Sequence, residues 1–313
     1  MSLRVYSGTA NPELGRKIVS HLAARPGRMA VDRFQDGELN VKIGESTRDA
    51  DVFIVQPTSP PVHENVMELL IIIDAFRRAS AKRITAVIPY YGYARQDKKL
   101  KPREPIGAKL IANLIVTAGA DRILAVDLHA GQVQGFFDIP VDHLVAAPII
   151  ADYLVKKGIA KRDIVVVSPD VGGVSRASQL AKLLDAPIAI NAKRRPKPNK
   201  AEVVETVGDV KGKTAILLDD MIDTGGSMLE GAEALTKRGV KEIYAAATHP
   251  VLSGDAAALL SASRIKEIIV TDTIPLRDRD KYPKITVLSV ASLLGDAIRR
   301  IHRHMSVSKL FER

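Results

Sequence analysis

Short apolar runs that alternate with helix-like stretches are the feature that most restricts the fold of this chain. Such runs occur at DVFIVQP, ITAVIPYY, RILAVDLH, DIVVVSPD, TAILLDD, EIYAAATHP and EIIVTDTIP. Between them lie stretches with helical spacing, such as ENVMELLIIIDAFRRA and REPIGAKLIANLIVTAGA. Alternation of strand and helix predicts parallel sheets with crossover helices, and continuously apolar strands predict that both sheet faces are covered. We therefore expect an α/β protein with its active site at the carboxyl ends of the strands.

Two stretches echo each other and suggest that the chain contains two related halves. Gly119–His129 and Gly239–His249 align without gaps, 120 residues apart, and share Gly, Ile, Ala and His. Each follows a helical pattern that itself follows a strand and a loop. The echo alone also fits two ordinary helix-to-strand turns, so that interpretation stays open.

An excess of basic residues indicates which partners the fold would bind. The 46 Lys and Arg outnumber the 36 Asp and Glu, and the formal net charge of +10 at pH 7 favours anionic ligands. The basic residues are dispersed apart from Lys193–Lys200, without the arginine–aromatic interleaving of an RNA-binding surface. We therefore expect phosphorylated metabolites as partners, with no nucleic acid and no membrane.

The absence of certain residue types and segments limits the chemistry and the location. The sequence has no Cys, which excludes a disulfide, a thiolate metal site and a Cys nucleophile. Its first residues lack the basic-then-apolar arrangement of a secretory signal, and the apolar patch Leu69–Ile73 is far too short to span a bilayer. We expect a cytoplasmic protein.

One apolar run leads into a segment with the composition of a phosphate-binding loop. Ala215–Leu218 runs into the acidic pair Asp219 and Asp220, which is followed by Asp223–Ser227 (DTGGS) and a helical pattern. Successive N–H groups of such a turn, with the Thr and Ser hydroxyls, can converge on one anion at a helix N-terminus. No lysine follows the glycines, so a Walker-type ATPase is disfavoured.

The acidic pair beside this loop indicates which ligand would fit. Two carboxylates suit a ligand that carries hydroxyls or a metal beside its phosphate, and ribose 5-phosphate meets this condition. The loop would hold the phosphate, while Asp219 and Asp220 would hold O2 and O3 of the sugar. A plain strand-to-helix turn, in which Asp and Thr cap the helix, is the alternative.

Motifs along the whole chain resemble one family. Residues 217–227 (LLDDMIDTGGS) resemble the PRPP-binding loop shared with type I phosphoribosyltransferases, which alone would fit many enzymes. More specific are YARQDKK and DLHAGQVQGFFDIPVDHL, and further matches are RFQDGELNVKIGES, REPI, SPDVGG, KRRPKPN, THPVLSG and SVSKLF. With these motifs the chain resembles the ribose-phosphate diphosphokinases, or PRPP synthases, of the phosphate-activated class I bacterial type.

The resemblance implies a fold of two tandem, related domains of the type I phosphoribosyltransferase kind, each a mostly parallel sheet flanked by helices. An N-terminal domain, residues 1–145, would carry the ATP and regulatory contacts. A C-terminal domain, residues 146–313, would carry the ribose-5-phosphate loop, and its tail is expected to pack back on the N-terminal domain. The chain would assemble into a homohexamer built from dimers.

The resemblance also implies the reaction, which transfers the β,γ-diphosphoryl group of Mg-ATP to the 1-hydroxyl of ribose 5-phosphate and gives PRPP and AMP. Such an enzyme uses Mg²⁺ as cofactor and supplies precursor for nucleotide, histidine and tryptophan synthesis. In-line attack of the sugar oxygen on Pβ needs positioning and positive charge more than a protein nucleophile. Lys193 and Arg195 match the family's catalytic-loop Lys and its neighbouring Arg.

The other site residues implied by the resemblance fall into four groups. Ribose 5-phosphate would be bound by Arg195, Asp219, Asp220, Asp223, Thr224, Gly225, Gly226 and Ser227. ATP would be bound by Phe34, Asp36, Gly37, Glu38, Arg95 and Gln96, with the segment around Phe34 reaching the nucleotide of a neighbouring subunit. The metal would be held by His129 and Asp170. Inorganic phosphate as activator and ADP as inhibitor would bind Ser46, Arg48, Ser80, Ser306 and Ser308.

Without the family, several of these residues have plain structural interpretations. The Asp36-Gly37 pair is typical of a hairpin turn, and Lys193–Lys200 of a solvated basic turn. His129 would be a structural hydrogen-bonding residue, Arg95 part of a loop salt bridge, and the SVSKLF segment a frayed tail.

Two other functions also stay open. The first is a phosphoribosyltransferase that consumes PRPP, which the reworked N-terminal half and the DLHAGQVQGFFDIP motif disfavour. The second is a regulatory or RNA-binding relative without activity. The second is disfavoured because six residues are retained together: Lys193, Arg195, His129, Asp170, Asp219 and Asp220.

Overall fold

The structure of the chain is a computed structural model that describes residues 1–194 and 203–310, with the backbone alone for residues 193, 194, 203 and 204. The chain divides into two compact units. Unit 1 comprises Met1–Val145, Thr273–Pro275 and Ser289–Arg313, and unit 2 comprises Ala146–Asp272 and Leu276–Leu288. Unit 2 is therefore inserted between segments of the chain that belong to unit 1.

Unit 1 is built on a parallel sheet. In its described residues the strands lie in the order β1-β4-β5-β6-β7, and each neighbouring pair is parallel. A separate antiparallel hairpin is formed by β2 and β3. The strands are β1 (Leu3–Ser7), β2 (Met29–Arg33), β3 (Leu39–Ile43), β4 (Asp51–Val55), β5 (Arg83–Ile88), β6 (Arg122–Val126) and β7 (Val141–Leu144).

Helices cover this sheet and close the apolar core of unit 1. They are α1 (Pro12–His21), α2 (Val62–Arg78), α3 (Gly107–Ala118) and α8 (Ala291–His302). Leu69 and Ile72 of α2 and Ile115 of α3 are fully buried against Ile54 of β4 and Ile88 of β5. Helix α8, from the end of the chain, packs on α1.

Unit 2 has a longer and mixed sheet. In its described residues the strand order is β10-β9-β8-β11-β12-β13-β14, parallel throughout except for the β9–β10 pair. The strands are β8 (Ile164–Ser168), β9 (Ile188–Arg194), β10 (Val203–Val207), β11 (Thr214–Ile222), β12 (Glu242–Pro250), β13 (Glu267–Thr271) and β14 (Ile285–Leu288). The helices are α4 (Ala147–Lys156), α5 (Val174–Leu184), α6 (Gly226–Lys237) and α7 (Ala256–Ala262).

Strand β11 shows why continuously apolar strands were expected to be covered on both faces. Ala215 and Leu217 lie in one core together with residues of α6, and Ile216 and Leu218 lie in a second core with residues of α4 and α5. Successive side chains of a strand point to opposite faces, so each face of this strand is covered by its own helical layer. The predicted α/β class, with mostly parallel sheets flanked by helices, is confirmed.

The two copies of the sequence echo occupy matching places in the two sheets. The first copy includes β6, which lies beside β5, and the second copy includes all of β12 except its last residue and lies beside β11. In the described part of the chain, no helix is long and apolar enough to cross a membrane.

Strand β11 extends further than the sequence indicated. The apolar run was expected to end at the acidic pair, but β11 continues to Ile222, which pairs with Pro250 of β12. The reason is that β12 is equally long and continues the hydrogen-bond ladder beyond the end of β8 at Ser168. The acidic pair therefore lies inside a strand, where its backbone is fixed.

Candidate active site

The segment after β11 forms the compact turn that its glycines predict. Gly225 has a φ of +80°, a left-handed backbone conformation that glycine adopts without strain, and α6 begins at the next residue. Leu229 N donates to the Gly225 carbonyl at 3.0 Å, and Ser253 N donates to the Asp223 carbonyl at 3.0 Å. The turn is therefore held both by the helix that follows it and by the loop after β12.

The space in front of this turn is open. A Cβ atom added at Gly226 would have only Thr224 Oγ1 near it, at 3.8 Å. The N-cap position is Gly225, which has no side chain to cap the helix. Because the first amides of an α-helix have no acceptor within the helix and carry partial positive charge, they suit an anion.

Asp219 and Asp220 share one cation. Arg176 Nη1 is 3.1 Å from Asp219 Oδ1 and 3.3 Å from Asp220 Oδ1. Asp220 is 2 % exposed, and its N–H donates to Asp219 Oδ1 at 2.8 Å. Burial, and then the neighbouring Asp220 carboxylate, raise the pKa of Asp219 to about 8. Both causes favour the protonated form of Asp219, so the pair holds a proton more tightly than an ordinary Asp does.

Arg176 is the residue of this site that the sequence analysis did not identify. It lies in the first turn of α5, which follows β8. β8 and β11 pair in parallel up to Val167 opposite Leu217, so the segments that follow both strands emerge at one edge of the sheet. An Arg in the first turn after a strand that ends in SPD is a signal that could have located it, once β8 and β11 were known to be neighbours.

In unit 1, residues Phe34–Glu38 form the tip of the β2–β3 hairpin. Phe34 N donates to the Glu38 carbonyl at 2.9 Å, and Glu38 N donates to Asp36 Oδ1 at 3.1 Å. Gly37 has a φ of +95°, so the turn needs a glycine there. The hairpin interpretation of this segment is therefore correct. Phe34 is 55 % exposed at the tip, where its ring face can contact a ligand.

Arg95 and Gln96 lie on the surface, in the loop between β5 and α3. Gln96 N donates to the Tyr93 carbonyl at 2.8 Å, and the Gln96 carbonyl accepts from Ala108 N at 3.2 Å. Asp97 Oδ2 in the same loop accepts from Gln132 Nε2 at 2.7 Å. The two most specific sequence motifs, YARQDKK and DLHAGQVQGFFDIP, are therefore in contact within unit 1.

Comparison with known proteins identifies the family. The N-terminal domain of ribose phosphate pyrophosphokinase matches residues 3–119, and the phosphoribosyl synthetase-associated domain matches residues 174–312. The ribose-phosphate pyrophosphokinase of Caldanaerobacter subterraneus is 57 % identical over 310 residues, which cover 99 % of this chain and 98 % of that protein. The chain belongs to the ribose-phosphate pyrophosphokinase family.

Two further relatives agree with this assignment. Ribose-phosphate pyrophosphokinase 1 of Spinacia oleracea is 56 % identical over 311 residues, which cover 99 % of this chain and 93 % of that protein. The crystal structure of phosphoribosylpyrophosphate synthetase from Mycobacterium smegmatis superposes with a TM-score of 0.92 at 44 % identity, over 97 % of this chain and 100 % of that chain. The chain is therefore an enzyme, a transferase of the ribose-phosphate pyrophosphokinase family.

The two predicted metal residues lie in different units. In unit 2, Asp170 follows β8, and its Oδ1 accepts from Gly173 N at 2.9 Å. In unit 1, His129 is exposed beyond the end of β6. Within residues 1–194 and 203–310, no group of three or more His, Asp and Glu side chains could hold a metal ion. The metal role of His129 and Asp170 stays a prediction.

The predicted regulatory residues of unit 1 lie near the amino ends of β4 and β5. Asp49 N donates to the Ser80 carbonyl at 3.2 Å, and Thr47 Oγ1 lies 3.5 Å from the Ala79 carbonyl. These contacts place the turn that carries Ser46 and Arg48 beside the turn that carries Ser80.

The C-terminal residues of unit 1 reach the same strand ends. His302 Nδ1 lies 2.8 Å from Asp51 Oδ2, and Arg83 Nη2 donates to the Ile301 carbonyl at 3.1 Å. Beyond this helix, Ser308 N donates to Ser306 Oγ at 3.3 Å. The tail forms a defined turn up to Leu310, in contrast to the frayed tail that the sequence without the family suggested.

Of the two predicted catalytic residues, only Lys193 falls within the described part of the chain. Lys193 lies in β9, and only its backbone is described. Arg195 lies outside the described residues. The catalytic roles of both residues stay predictions.

Proposed function

We propose that the chain transfers the β,γ-diphosphoryl group of Mg-ATP to the 1-hydroxyl of ribose 5-phosphate, giving PRPP and AMP. The observation that carries this proposal is the arrangement after β11, where the Asp219–Asp220 pair stands beside the open turn at the start of α6. A sugar phosphate needs donors for its phosphate and acceptors for its hydroxyls. This edge of unit 2 supplies both.

In this proposal the turn holds the 5-phosphate of the sugar. The amides of Gly225, Gly226 and Ser227 and the Thr224 hydroxyl would donate to the phosphate oxygens. Asp219 and Asp220 would accept from the O2 and O3 hydroxyls. Asp223 would be the first residue of the phosphate-binding turn. Since β11 and α6 fix the backbone on both sides, the sugar would be bound without reorganisation of the loop.

The chemical step follows from this placement. The sugar O1 forms a bond to Pβ and loses its proton, while the bond from Pβ to the oxygen that bridges to the α-phosphate breaks and AMP departs with that oxygen. Negative charge grows on the β-phosphoryl oxygens and on the AMP phosphate. Lys193, which lies in β9, and Arg195 would supply positive charge to these oxygens.

In this proposal Mg²⁺ would be held by His129 and Asp170. Oxygen ligands are those that Mg²⁺ prefers, and Asp170 offers a carboxylate just after β8, where its Oδ1 accepts from Gly173 N. When bound, Mg²⁺ would neutralise charge on the diphosphoryl oxygens.

The nucleotide would be bound by unit 1. Phe34 would stack on the adenine and Asp36 and Glu38 would accept from its amino group, with Gly37 shaping the turn. Arg95 and Gln96 would contact the ATP bound by the same chain, since the planar guanidinium group of Arg suits a polyphosphate. A homohexamer, in which the hairpin reaches the nucleotide of a neighbouring subunit, is part of the proposal.

Regulation by inorganic phosphate and ADP is proposed at the amino ends of β4 and β5. The contacts of Asp49 with Ser80 and of Asp51 with His302 support this, because they draw together the segments that carry Ser46, Arg48, Ser80, Ser306 and Ser308. Hydroxyls and an Arg are suitable partners for a phosphate.

An assay that supplies ATP, ribose 5-phosphate and Mg²⁺ tests the proposed function. We expect AMP and PRPP in equal amounts and faster turnover when inorganic phosphate is present. Asp219→Ala should mainly weaken ribose 5-phosphate binding, whereas Asp209→Ala, an exposed carboxylate of the same unit, should not. Unaltered affinity for the sugar phosphate in Asp219→Ala would refute the sugar site.

Lys193→Ala tests the catalytic assignment separately. We expect the barrier to rise by roughly 2.7–4 kcal/mol, as when one preorganised charge-stabilising group is removed, while the fold is retained. Lys211→Ala, an exposed lysine of the same unit, is the control. Unchanged turnover in the Lys193 variant would remove Lys193 from the catalytic step.

A further inference from the structure

The first turn of α2 contacts both segments of unit 1 that are proposed to bind ATP. Glu64 in this turn contacts the β2–β3 hairpin, and its neighbour His63 contacts the loop that carries Arg95 and Gln96. We infer that His63 and Glu64 are positioning residues, each for one nucleotide-binding segment. Glu64 holds the hairpin that reaches the nucleotide of a neighbouring subunit, and His63 holds the loop that contacts the nucleotide of its own chain. This inference rests on the proposed function and names two residues that the nucleotide itself does not need to touch.

Glu64 holds the hairpin through Arg33. Arg33 Nη2 lies 2.6 Å from Glu64 Oε2, and Arg33 Nη1 donates to the Gly37 carbonyl at 3.2 Å. One guanidinium group therefore joins α2 to the turn that presents Phe34 and Asp36. The base of the hairpin is fixed differently, because its apolar residues, such as Val31, pack on the core of unit 1.

His63 holds the loop through Tyr93. Tyr93 Oη lies 2.8 Å from His63 Nδ1, and the two ring centroids are 6.0 Å apart at 44°. The Tyr93 carbonyl accepts from Gln96 N, and a Cβ atom added at Gly107 would lie 2.9 Å from the Tyr93 ring and 2.5 Å from Gln96 Oε1. Tyr93 is therefore placed between α2 and α3, directly beside a residue proposed to bind ATP.

Tyr93 has a backbone conformation that an aromatic residue does not adopt by preference. Its φ is +66°, in the left-handed region, which costs free energy for a residue with a side chain. Such a conformation persists only where its surroundings impose it. The hydrogen bond to His63, together with packing against Gly107, is a contact that helps to impose it.

The first turn of α2 is itself anchored to the core beneath both segments. Asn65 Nδ2 donates to the Ser59 carbonyl at 2.7 Å, and Gly92 N donates to Thr58 Oγ1 at 2.6 Å. Both of these bonds end on the short loop after β4. The helix turn and the start of the Tyr93 loop therefore share one fixed support, which is what a positioning element requires.

The two contacts are too exposed to contribute much to the stability of the fold. Arg33 and Glu64 side chains are 47 % and 54 % exposed, and exposed ion pairs contribute little to unfolding free energy. A change at either residue is therefore expected to alter nucleotide binding without unfolding unit 1. A stability effect and a positioning effect can be told apart by measurement.

The experiment compares His63→Ala, Glu64→Gln and the double variant with the unchanged chain. We measure the Kd for Mg-ATP by calorimetry, the KM values for ATP and ribose 5-phosphate, kcat, and the melting temperature. Each single change should weaken Mg-ATP binding about two- to fivefold and the double change about tenfold, with kcat, the KM for ribose 5-phosphate and melting temperature little altered.

Two further variants make this result specific. His63→Asn retains a polar atom close to the Nδ1 position and should restore most of the ATP affinity lost in His63→Ala. Asp74→Asn breaks the exposed Arg78–Asp74 pair of the same helix, where Nε and Oδ2 are 2.7 Å apart, and should leave ATP affinity unchanged.

The possible results separate this inference from the proposed function. Unchanged ATP affinity in the double variant, or equal losses in Asp74→Asn, would overturn the positioning role. An unchanged chain that binds Mg-ATP but makes no AMP from ribose 5-phosphate would refute the proposed reaction, while the binding data would still decide the role of His63 and Glu64. A chain that binds no Mg-ATP would overturn both.

Discussion

Replacement of Asp219 by Asn should stabilise the ligand-free protein, and should do so increasingly as pH rises from 5 to 8. Asn has the same shape as Asp and keeps an oxygen that can accept from Asp220 N, which now bonds Asp219 Oδ1 at 2.8 Å. It removes the carboxylate that competes with Asp220 for Arg176. Asp219, which is proposed to bind the sugar, would thus lower the stability of the protein when no ligand is bound.

The magnitude follows from the raised pKa. Burial and the Asp220 carboxylate bring the pKa of Asp219 to about 8, against 3.8 for an ordinary Asp. A group whose folded pKa is raised contributes stability that is fully present below the unfolded pKa and is lost as pH rises through the folded pKa. Between these limits the slope for one such group is about 1.4 kcal/mol per pH unit.

The expected gain in unfolding free energy is smaller than this slope alone would give. The Asp219 side chain is 22 % exposed, so solvent screens part of the electrostatic effect. We therefore expect the variant to gain about 2–3 kcal/mol on the unchanged chain between pH 5 and pH 8.

Calorimetric melting of both proteins at four pH values, at constant salt and without ligand or Mg²⁺, measures this gain. Asp209→Asn, at a carboxylate that is 77 % exposed, is the matched control and should show no such trend. Infrared difference spectra of the same samples should show a protonated carboxyl band at pH 6.5 that is absent from Asp219→Asn. A stability difference that stays constant from pH 5 to pH 8 would refute the assignment of a retained proton to this pair.

Three further changes test other parts of the structure. Arg176→Met leaves Asp219 and Asp220 without their shared cation and should lower the unfolding free energy by about 3 kcal/mol in chemical denaturation at pH 8; an unchanged midpoint would contradict the ion pairing. Gly225→Ala and Gly212→Ala, at φ of +80° and +75°, should each cost about 1–2 kcal/mol, but only Gly225→Ala should reduce ribose 5-phosphate affinity in titration calorimetry. Asp51→Asn disrupts the buried acceptor of Arg83 and His302 and should speed hydrogen exchange in α8, and equal exchange would show that this contact does not hold the helix.

Much of the fold could be predicted from the sequence because its strands are continuously apolar. The first five residues of DVFIVQP form β4, and TAILLDD lies in β11. The helical stretch ENVMELLIIIDAFRRA lies within α2 apart from its last residue. Element ends were less accessible. β11 extends beyond the acidic pair because β12 continues to pair with it there. The sequence of one strand does not reveal how long its partner strand is.

The turn at Asp223–Ser227, proposed to bind ribose 5-phosphate, could be predicted from the sequence because its residues are contiguous and Gly225 provides the positive φ that the turn requires. Arg176 could not be predicted as a site residue from the sequence. It is 43 positions from Asp219, and the two residues meet only because β8 and β11 are neighbours in the sheet. The contact of His63 with Tyr93 is of the same kind, across 30 positions. Residues that act through long-range contacts carry little local signal.

The insertion of unit 2 within unit 1 has a consequence for synthesis on the ribosome. Helix α8, which packs on α1 and bonds Asp51 through His302, is translated after every strand of unit 2. At about 5–20 residues per second, the first 145 residues wait on the order of ten seconds for this last piece. Until α8 emerges, the side of α1 on which it packs and the Asp51 carboxylate that it contacts stay uncovered by it, so a truncated chain would expose them.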